Sequence, residues 1–548
     1  EDELYSQAVD NIKSEELNYQ KYYDLILNAK NNLDEKKNVK ESYLKQIENT
    51  KKSIQDKDTY LQQVNTSHLQ KLDVNKDIEK TLRKIIKTTY ASDLGIKRAK
   101  KNQLILKTIF TNFSVVKQYY SAKIKRALVH ETPEGNKRAF TDYIKKNLAL
   151  NNLIPKDVCF FDHHLCHAIP SYYLSPFNEQ EALSLTIDGQ GDGYFSKLFY
   201  FNGQDNYELV GKSSADFLGE GDKFLSIGRL YNYFTSAMDL RPNSDEGKVE
   251  ALAAYGTADE KMYQSLMNAT SIDQSLLAIN FDTKMIMQFY DISWLKSQRT
   301  LVGDENFCAT IQKYLEDTMI DYLNIAYKKY PTNNLCLSGG VAANIIMSLA
   351  IYEKTNFKNI YVYPAMADDG LAIGSAILTA LSLNEDISWL KDFPMPYFGD
   401  SYNHIQVKNT LDEFESITYD DLRENWPKEA AISVSKGKIC ALFHGSMEFG
   451  PRALGNRSIV ASPMFEDIRQ KINSTVKRRP SYQPFCPSIL EEERERLFDD
   501  SFSHKHMAIA FRMKEEFLKD LPCAAHIDGT VRPQFVEEVD NPDYFRFL

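Results

Sequence analysis

The chain has 548 residues, a formal net charge of −10 and a hydrophobic content of 43%. This length exceeds what one ordinary core supports, so the sequence predicts two or three domains. The negative balance argues against nonspecific wrapping of nucleic acid, although it leaves room for a local basic pocket. Seven cysteines without a C-x-x-C pair favour reduced thiols in a cytoplasm, and the absence of a long apolar run predicts no membrane span.

Residues 1–104 are predicted to be a helical region, because they are rich in Lys, Glu and Asn and poor in Gly and Pro. A seven-residue register, interrupted by Lys40, joins four apolar positions: Leu33, Ile47, Ile54 and Leu61. The pattern favours solvated helices packed on a neighbour over a true coiled coil. Homodimerisation or a helical partner bound through this region is left open.

Residues 105–390 are predicted to form an α/β domain. Four segments each indicate an apolar strand, a polar or glycine-rich loop and then, in most cases, a helix: VCFFDHHLCHA, ALSLTIDGQGDG, NLCLSGGVAANI and NIYVYPAMADDGLAIGSAI. Ligands in such folds bind at the strand ends. After a linker near DFPMPYFGDSYNH, residues 400–548 are predicted to be a separate α+β domain.

The DHHLCHA stretch contains a candidate metal site. On a helix, His163 and His167 share one face, whereas Cys166 faces away. Taken alone, the pair fits equally a helix start with ordinary hydrogen bonds. Asp188 ends one apolar strand, and the Asp368–Asp369 pair follows another. Two imidazoles with one or two carboxylates suit Fe(II), Mn(II) or Zn(II).

The glycine-rich loops suggest a nucleotide site of the kind that sugar kinases use. Gly339 and Gly340 would let the backbone approach a ligand ahead of a helix N-terminus that faces an anion. A tight turn explains the same pair of glycines equally well. Lys248, in EGKVEALAAYG, is either a further site residue or a solvated side chain.

The C-terminal block carries a basic cluster in GPRALGNRS and VKRR. Guanidinium groups that converge on one pocket suit a phosphate-containing substrate, with structural salt bridges as the alternative. The cluster comprises Arg452, Arg457, Lys477, Arg478 and Arg479.

Together these motifs resemble the O-carbamoyltransferases, which include nodulation protein U and the enzymes that carbamoylate cephalosporin- and tobramycin-type antibiotics. The motifs that carry the resemblance over roughly residues 105–548 are HHLCHA, SPF, TIDGQGDG, EGKVEALAAYG, SGGVAANI, ADDGLAIGSA, MEFGPRALGNRSI, QPFCPS and HIDGTVRPQ. The resemblance implies an actin/sugar-kinase-like domain, similar to tRNA threonylcarbamoyl transferases, followed by a YrdC-like domain. The second domain would convert carbamoyl phosphate and ATP to carbamoyl-AMP, and the first would transfer the carbamoyl group to a hydroxyl acceptor.

The resemblance also implies residue roles. The metal, iron in the family, would be held by His163, His167, Asp188 and Asp368, and catalysis would use His163, His167, Asp188 and Lys248. Adenylate and phosphate groups would be bound by Gly339, Gly340, Asn344, His444, Arg452, Asn456, Arg457, Lys477, Arg479 and Arg532.

The sequence departs from the family pattern at several points. Residues 1–100 lack the usual first phosphate hairpin. FHGS carries His444 and Ser446 where Gln and Arg are usual, and RRPSYQPF has Pro480 and Gln483 in place of Glu and Arg. Two alternatives stay open. One, supported by the glycine-rich loops alone, is a sugar-kinase-like phosphotransferase. The other, supported by these departures, is a nucleotide-binding scaffold that has lost activity. The acceptor would be a sugar, antibiotic, oligosaccharide or nucleoside.

Overall fold

The computed structural model describes residues 133–149, 153–155, 157–203, 206–216, 224–392 and 395–548. The helical prediction for 1–104 therefore lies outside the described residues. Two units are distinguished, residues 1–160 and 161–548. In the described part of the first unit, one helix, α1, spans Pro133–Ala149.

The second unit contains a five-stranded mixed sheet. Its strands are β1 (Glu181–Gly191), β2 (Tyr194–Asn202), β3 (Tyr207–Ser214), β6 (Asn334–Ser338) and β7 (Asn359–Val362). The order across the sheet is β3-β2-β1-β6-β7. β1 is antiparallel to β2 and parallel to β6, and β6 is parallel to β7. A separate antiparallel pair is formed by β4 (Thr270–Asp273) and β5 (Ala278–Phe281).

Helices surround this sheet. They are α2 (His163–Tyr173), α3 (Ile227–Ala237), α4 (Glu246–Ala253), α5 (Glu260–Asn268), α6 (Thr283–Ile286), α7 (Ile292–Val302), α8 (Asp304–Lys329), α9 (Ile345–Lys354) and α10 (Leu371–Ser382). Short 3-10 turns occupy Met287–Tyr290, Gly340–Ala343, Asp368–Gly370 and Ser388–Asp392. No described helix is both long and apolar enough to cross a bilayer.

The remaining chain consists of short elements. The helices are α11 (His404–Asp412), α12 (Trp426–Ser435), α13 (Ile468–Lys471), α14 (Arg494–Leu497), α15 (Glu515–Leu518) and α16 (Pro542–Phe547), with 3-10 turns at Arg423–Asn425 and Glu491–Glu493 and a π-helical turn at Ile472–Lys477. The strands are β8 (Cys440–Phe443), β9 (Arg457–Val460), β10 (Ser488–Leu490), β11 (Phe511–Arg512), β12 (Thr530–Val531) and β13 (Gln534–Val536). They pair as β8-β9, β10-β13 and β11-β12.

The central sheet is buried on both faces. Along β6, Leu335 and Leu337 enter one hydrophobic cluster with α3 and α8, whereas Cys336 enters a second cluster with α2 and α10. The same alternation continues in β7, where Ile360 and Tyr361 join opposite clusters. Successive strand residues point to opposite faces, so apolar side chains fill both, each stabilising the fold by about 1.5–3 kcal/mol.

Three of the four predicted strands are confirmed, in ALSLTID, NLCLS and NIYV. The strand expected at 158–161 is wrong, because this run pairs with no strand of the described residues. The segment after TIDGQGDG is β2 rather than a helix. Gly191 pairs with Tyr194, which makes a tight hairpin there.

Candidate metal centre

The candidate metal centre lies at the carboxyl ends of the parallel strands. Asp188 projects from β1 where the pairing register with β2 shifts between Ile187 and Gly191. Gly339 follows β6, and Asp368 begins the 3-10 turn after β7. The carboxyl ends of neighbouring parallel strands meet at one edge of a sheet, which is where open α/β folds bind ligands.

Helix α2 brings two imidazoles to this edge. The Asp162 side chain caps the helix by accepting a hydrogen bond from the Leu165 N–H at 2.9 Å. From that start, His163 and His167 lie one turn apart on the same face. The Ser338 hydroxyl donates to the His167 carbonyl at 3.0 Å, which ties the helix to the end of β6. The helix start and the ligand pair are therefore features of the same turn.

Four side chains converge here. The Nε2 atoms of His163 and His167 lie 3.4 and 3.3 Å from Oδ2 of Asp188. They lie 3.8 and 3.5 Å from Oδ1 of Asp368. One ligand atom from each side chain falls within 4.8 Å of all the others. Two imidazole nitrogens with two carboxylate oxygens are the donor set of a borderline divalent cation, so these residues fit such a metal.

The centre is electrostatically polarised. Burial alone would raise the pKa of the Asp188 carboxyl, but hydrogen bonds with His163 and His167 hold it well below its usual range. Burial alone would lower the pKa of His167, whereas the carboxylates of Asp188 and Asp368 raise it. The Asp188 and Asp368 carboxylates therefore favour the protonated form of His167. A divalent metal bound here would compete with that proton.

His164 and Cys166 support the helix rather than the centre. The ring nitrogens of His164 lie 2.8 Å from the Thr186 hydroxyl and 3.1 Å from the Tyr194 carbonyl. Since a carbonyl only accepts, Nε2 donates to Tyr194. Burial lowers the pKa of His164 to about 4, so the ring is neutral and engaged on both sides. Cys166 is buried in the cluster with α10.

The predicted glycine loop lies directly beside the centre. Gly339 has a φ of 90°, and a Cβ there would lie 2.2 Å from the Ile187 carbonyl oxygen. A Cβ on Gly340 would lie 3.1 Å from Oδ1 of Asp188. Only glycine allows this approach of β6 to β1. Contact with an adenylate at this loop stays a prediction.

Two other residues with predicted roles make internal contacts. Asn344 caps α9 by accepting from the Met347 N–H, and it exchanges amide hydrogen bonds of 2.8 and 3.0 Å with Gln312. Lys248 forms an ion pair with Asp245 at 2.8 Å. Within the described residues, no hydrogen bond or ion pair joins Lys248 to the four centre residues.

Some residues that were predicted to bind phosphate instead form hydrogen bonds with nearby backbone carbonyls. The guanidinium of Arg457 stacks on Phe443 at 3.8 Å. It donates to four backbone carbonyls, those of His444, Asn456, Asp400 and Gly445. The Asn456 side chain donates to the Ser446 carbonyl, and the His444 ring bonds the Gly455 carbonyl.

Two other arginines with predicted phosphate roles each have one buried nitrogen without a hydrogen-bond partner. Nε of Arg452 and Nη1 of Arg532 are buried without a hydrogen-bond partner among the described residues. Burial, with the nearby charge of Arg452, lowers the pKa of the Arg479 guanidinium. Lys477 lies exposed at the end of its π-helical turn. Buried donors are normally satisfied, so Arg452 and Arg532 suit an anionic ligand.

Sequence reasoning missed three supporting residues. Gly191 and Asp192 contact His163 from the β1–β2 turn. Glu250 accepts hydrogen bonds from the Ile345 and Ile346 N–H groups and lies 3.9 Å from Arg532. The spacing of TIDGQGDG was a usable signal for the turn. For Glu250, the only signal in the sequence was an acidic residue within a buried helix.

Comparisons with known proteins identify the family. The model for the carbamoyltransferase N-terminus matches residues 7–377, which includes most of 1–104, and that for the carbamoyltransferase C-terminus matches residues 431–548. An uncharacterized protein of Methanocaldococcus jannaschii is 52% identical, over 73% of this chain and 67% of its own. Nodulation protein NolO of Bradyrhizobium diazoefficiens is 29% identical, over 70% and 69%. The 3'-hydroxymethylcephem-O-carbamoyltransferase of Streptomyces clavuligerus is 30% identical, over 41% of each chain.

Among solved structures, HypF of T. kodakarensis aligns with 47% of this chain and 40% of its own at 15% identity. Its TM-score of 0.28 is too low to assign a shared fold.

The motifs and both matches define a group-transfer enzyme that handles a carbamoyl unit. The chain belongs to the carbamoyltransferase family, whose O-carbamoyltransferases it resembled on sequence.

Proposed function

We propose that this protein is an ATP-dependent O-carbamoyltransferase that works through carbamoyl-AMP. The buried and unpartnered Nε of Arg452 is the observation that carries the ATP-dependent step. A buried, unpaired guanidinium nitrogen beside Arg479 suits the phosphate groups of ATP and carbamoyl phosphate, which are both strongly anionic.

The proposed first half-reaction has two parts. Water releases inorganic phosphate from carbamoyl phosphate and leaves carbamate. A carbamate oxygen then attacks the α-phosphorus of ATP, and pyrophosphate leaves with the electrons of the broken P–O bond. Arg452, Arg479 and Arg532 would bind the phosphate groups. The unpaired buried nitrogens of Arg452 and Arg532 can stabilise charge that develops during the attack. Arg479 also donates to Asn473 and Pro484.

The second half-reaction would take place at the candidate metal centre. His163, His167, Asp188 and Asp368 would hold a divalent metal, Fe(II) in our proposal, which would act as a Lewis acid toward the carbamoyl group. The buried His167 and the partly exposed His163 leave the Asp368 side open to solvent, and the hydroxyl acceptor would enter there. The acceptor oxygen would form the new C–O bond as AMP leaves, and its proton would pass to solvent.

The proposed domain folds follow from the same assignment. The β3-β2-β1-β6-β7 order, with an antiparallel half and a parallel half, supports an actin/sugar-kinase-like domain within 105–390. The short strand pairs after residue 400 support a smaller α+β domain of the YrdC-like kind. All seven cysteines are free thiols, which supports a reducing compartment such as the cytoplasm.

Product analysis tests the proposal. Purified protein loaded with Fe(II) is incubated with ATP, isotopically labelled carbamoyl phosphate and a panel of sugars, aminoglycosides, oligosaccharides and nucleosides. We expect pyrophosphate, labelled carbamoyl-AMP and one acceptor that gains a single labelled carbamoyl group. Formation of ADP with a phosphorylated acceptor would instead support a sugar-kinase-like phosphotransferase. Nucleotide binding without any product would support a scaffold that has lost activity.

A further inference from the structure

We propose that the β1–β2 turn positions His163, the more exposed imidazole of the metal centre, and thereby sets metal affinity. The inference concerns Gly191 and Asp192, and it rests on the proposed metal role of the four converging side chains. Both are positioning residues, since neither contributes a ligand atom to the cluster.

Gly191 forms the floor under the His163 ring. A Cβ at position 191 would lie 2.0, 2.3 and 2.5 Å from Cδ2, Cγ and Nε2 of that imidazole. Real Cβ atoms never approach other atoms this closely, so any side chain larger than hydrogen must displace the ring. The group displaced would be the ligand itself, because no backbone atom is among these three contacts.

Asp192 fixes the backbone of the same residue. Its Oδ2 accepts a hydrogen bond from the His163 N–H at 2.8 Å. Asp192 has a φ of 49°, a left-handed conformation that Asp tolerates better than most residues. The turn therefore holds His163 from two sides, by contact with its ring and by a charge-assisted bond to its first helical N–H.

The need for such support follows from the exposure of the two imidazoles. His167 is 1% exposed and enclosed by protein, whereas His163 is 17% exposed. A partly exposed imidazole loses rotational entropy on metal binding, and pre-orientation of the ring reduces that cost. Residues that orient metal-binding histidines typically change metal affinity by about ten- to a hundredfold when mutated.

The experiment is an anaerobic Fe(II) titration of the full chain, in which binding is measured by isothermal titration calorimetry. We expect Gly191→Ala to weaken Fe(II) binding about a hundredfold and Asp192→Ala about tenfold, with Asp192→Asn close to wild type because its amide oxygen still accepts. Gly189→Ala is the matched control, two residues earlier in β1, since its Cβ would meet Arg229 at an ordinary 3.5 Å. Equal affinity of Gly191→Ala and Gly189→Ala would overturn the inference.

A double-mutant cycle keeps the test decisive even when metal binding fails. Gly191→Ala should lower the thermal midpoint in wild type but not in a His163→Ala background, where the overlapping ring is gone. An unchanged effect in that background would refute the positioning role. Wild-type protein that binds no Fe(II) would instead contradict the proposed metal centre, while the cycle would still report on the turn.

Discussion

Asp368 and Asp369 are adjacent carboxylates with the same chemistry. The sequence alone therefore does not show which of them would be the metal ligand. The structure separates them through the 3-10 turn that begins after β7. Oδ1 of Asp368 lies 3.5 Å from Nε2 of His167, and Asp369 is not part of the cluster. Local turn geometry, which strand periodicity does not encode, decides between them.

Asp368→Asn should therefore weaken metal binding strongly, whereas Asp369→Asn should not. The amide lacks the negative charge that a divalent cation prefers, so we expect a loss of about tenfold or more. Metal retained after gel filtration, measured by elemental analysis, gives the comparison directly. Equal retention by the two variants would show that the carboxylate ligand is wrongly assigned.

At the scale of elements, α2 and α10 make an unusually close crossing. Pro170 lies inside α2 and has no N–H, so the Cys166 carbonyl loses its usual helical partner. Gly374 of α10 packs directly against this carbonyl group, because a Cβ at position 374 would lie 1.9 Å from its oxygen. The pairing of a helix proline with a distant glycine was not predictable from either helix alone.

Gly374→Ala should separate the two helices and destabilise the protein by about 1–3 kcal/mol, since an added methyl overpacks the crossing. The thermal midpoint measures this loss. Gly247→Ala is the matched control, because position 247 of α4 opens onto free space and alanine favours helix there. A Gly374→Ala midpoint at or above that of the control would contradict the close crossing.

A second element-scale feature is the buried acid Glu316 on α8. Burial raises its pKa to about 7, and the neighbouring charge of Glu250 adds to the rise, while its hydrogen bond from Gln312 and the charge of Lys354 oppose it. The folded pKa exceeds the unfolded value of about 4.5. Its stabilising contribution is thus complete below that unfolded value and is lost as pH rises through about 7.

Glu316→Gln should remove this pH dependence, because the amide stays neutral and keeps the oxygen that Gln312 bonds. Relative to that of wild type, the free energy of unfolding of the variant should increase from pH 5 to pH 8 by an amount on the order of 1–3 kcal/mol. Urea unfolding midpoints at the two pH values measure it, with the exposed Glu305→Gln on the same helix as control. A difference that stays constant with pH would argue against a protonated buried acid.

For the whole molecule, the sequence predicted the components better than their connections. Short apolar runs followed by small-residue loops located β1, β6 and β7, and the spacing of His163 and His167 with acids at strand ends predicted which four side chains converge. These features are local or periodic, so the chain itself displays them. No local pattern reveals contacts between separate segments. Arg457 donates hydrogen bonds to backbone carbonyls of another segment, and Arg532 lies near Glu250.

One hydrophobic cluster also runs across the predicted division near residue 400. Phe498, Phe511 and Phe535 belong to the same buried cluster as Leu185 and Leu335 of the central sheet. Arg532 adds a polar link, through Glu250, to the helix that follows the Gly339–Gly340 loop. The segments proposed for adenylate formation and for carbamoyl transfer therefore share one packed core, which favours short transfer of a labile adenylate between them.

Pyrophosphate release from ATP tests the central claim most directly, measured with and without carbamoyl phosphate for wild type, Arg452→Ala and His167→Ala. Wild type should release pyrophosphate only when carbamoyl phosphate is present. Arg452→Ala should reduce that release about a hundredfold while keeping bound metal, because the arginine stabilises charge on the phosphates. His167→Ala should lose the metal yet keep pyrophosphate release. Wild-type release that does not depend on carbamoyl phosphate, or full release by Arg452→Ala, would contradict the proposed two-step carbamoyl transfer.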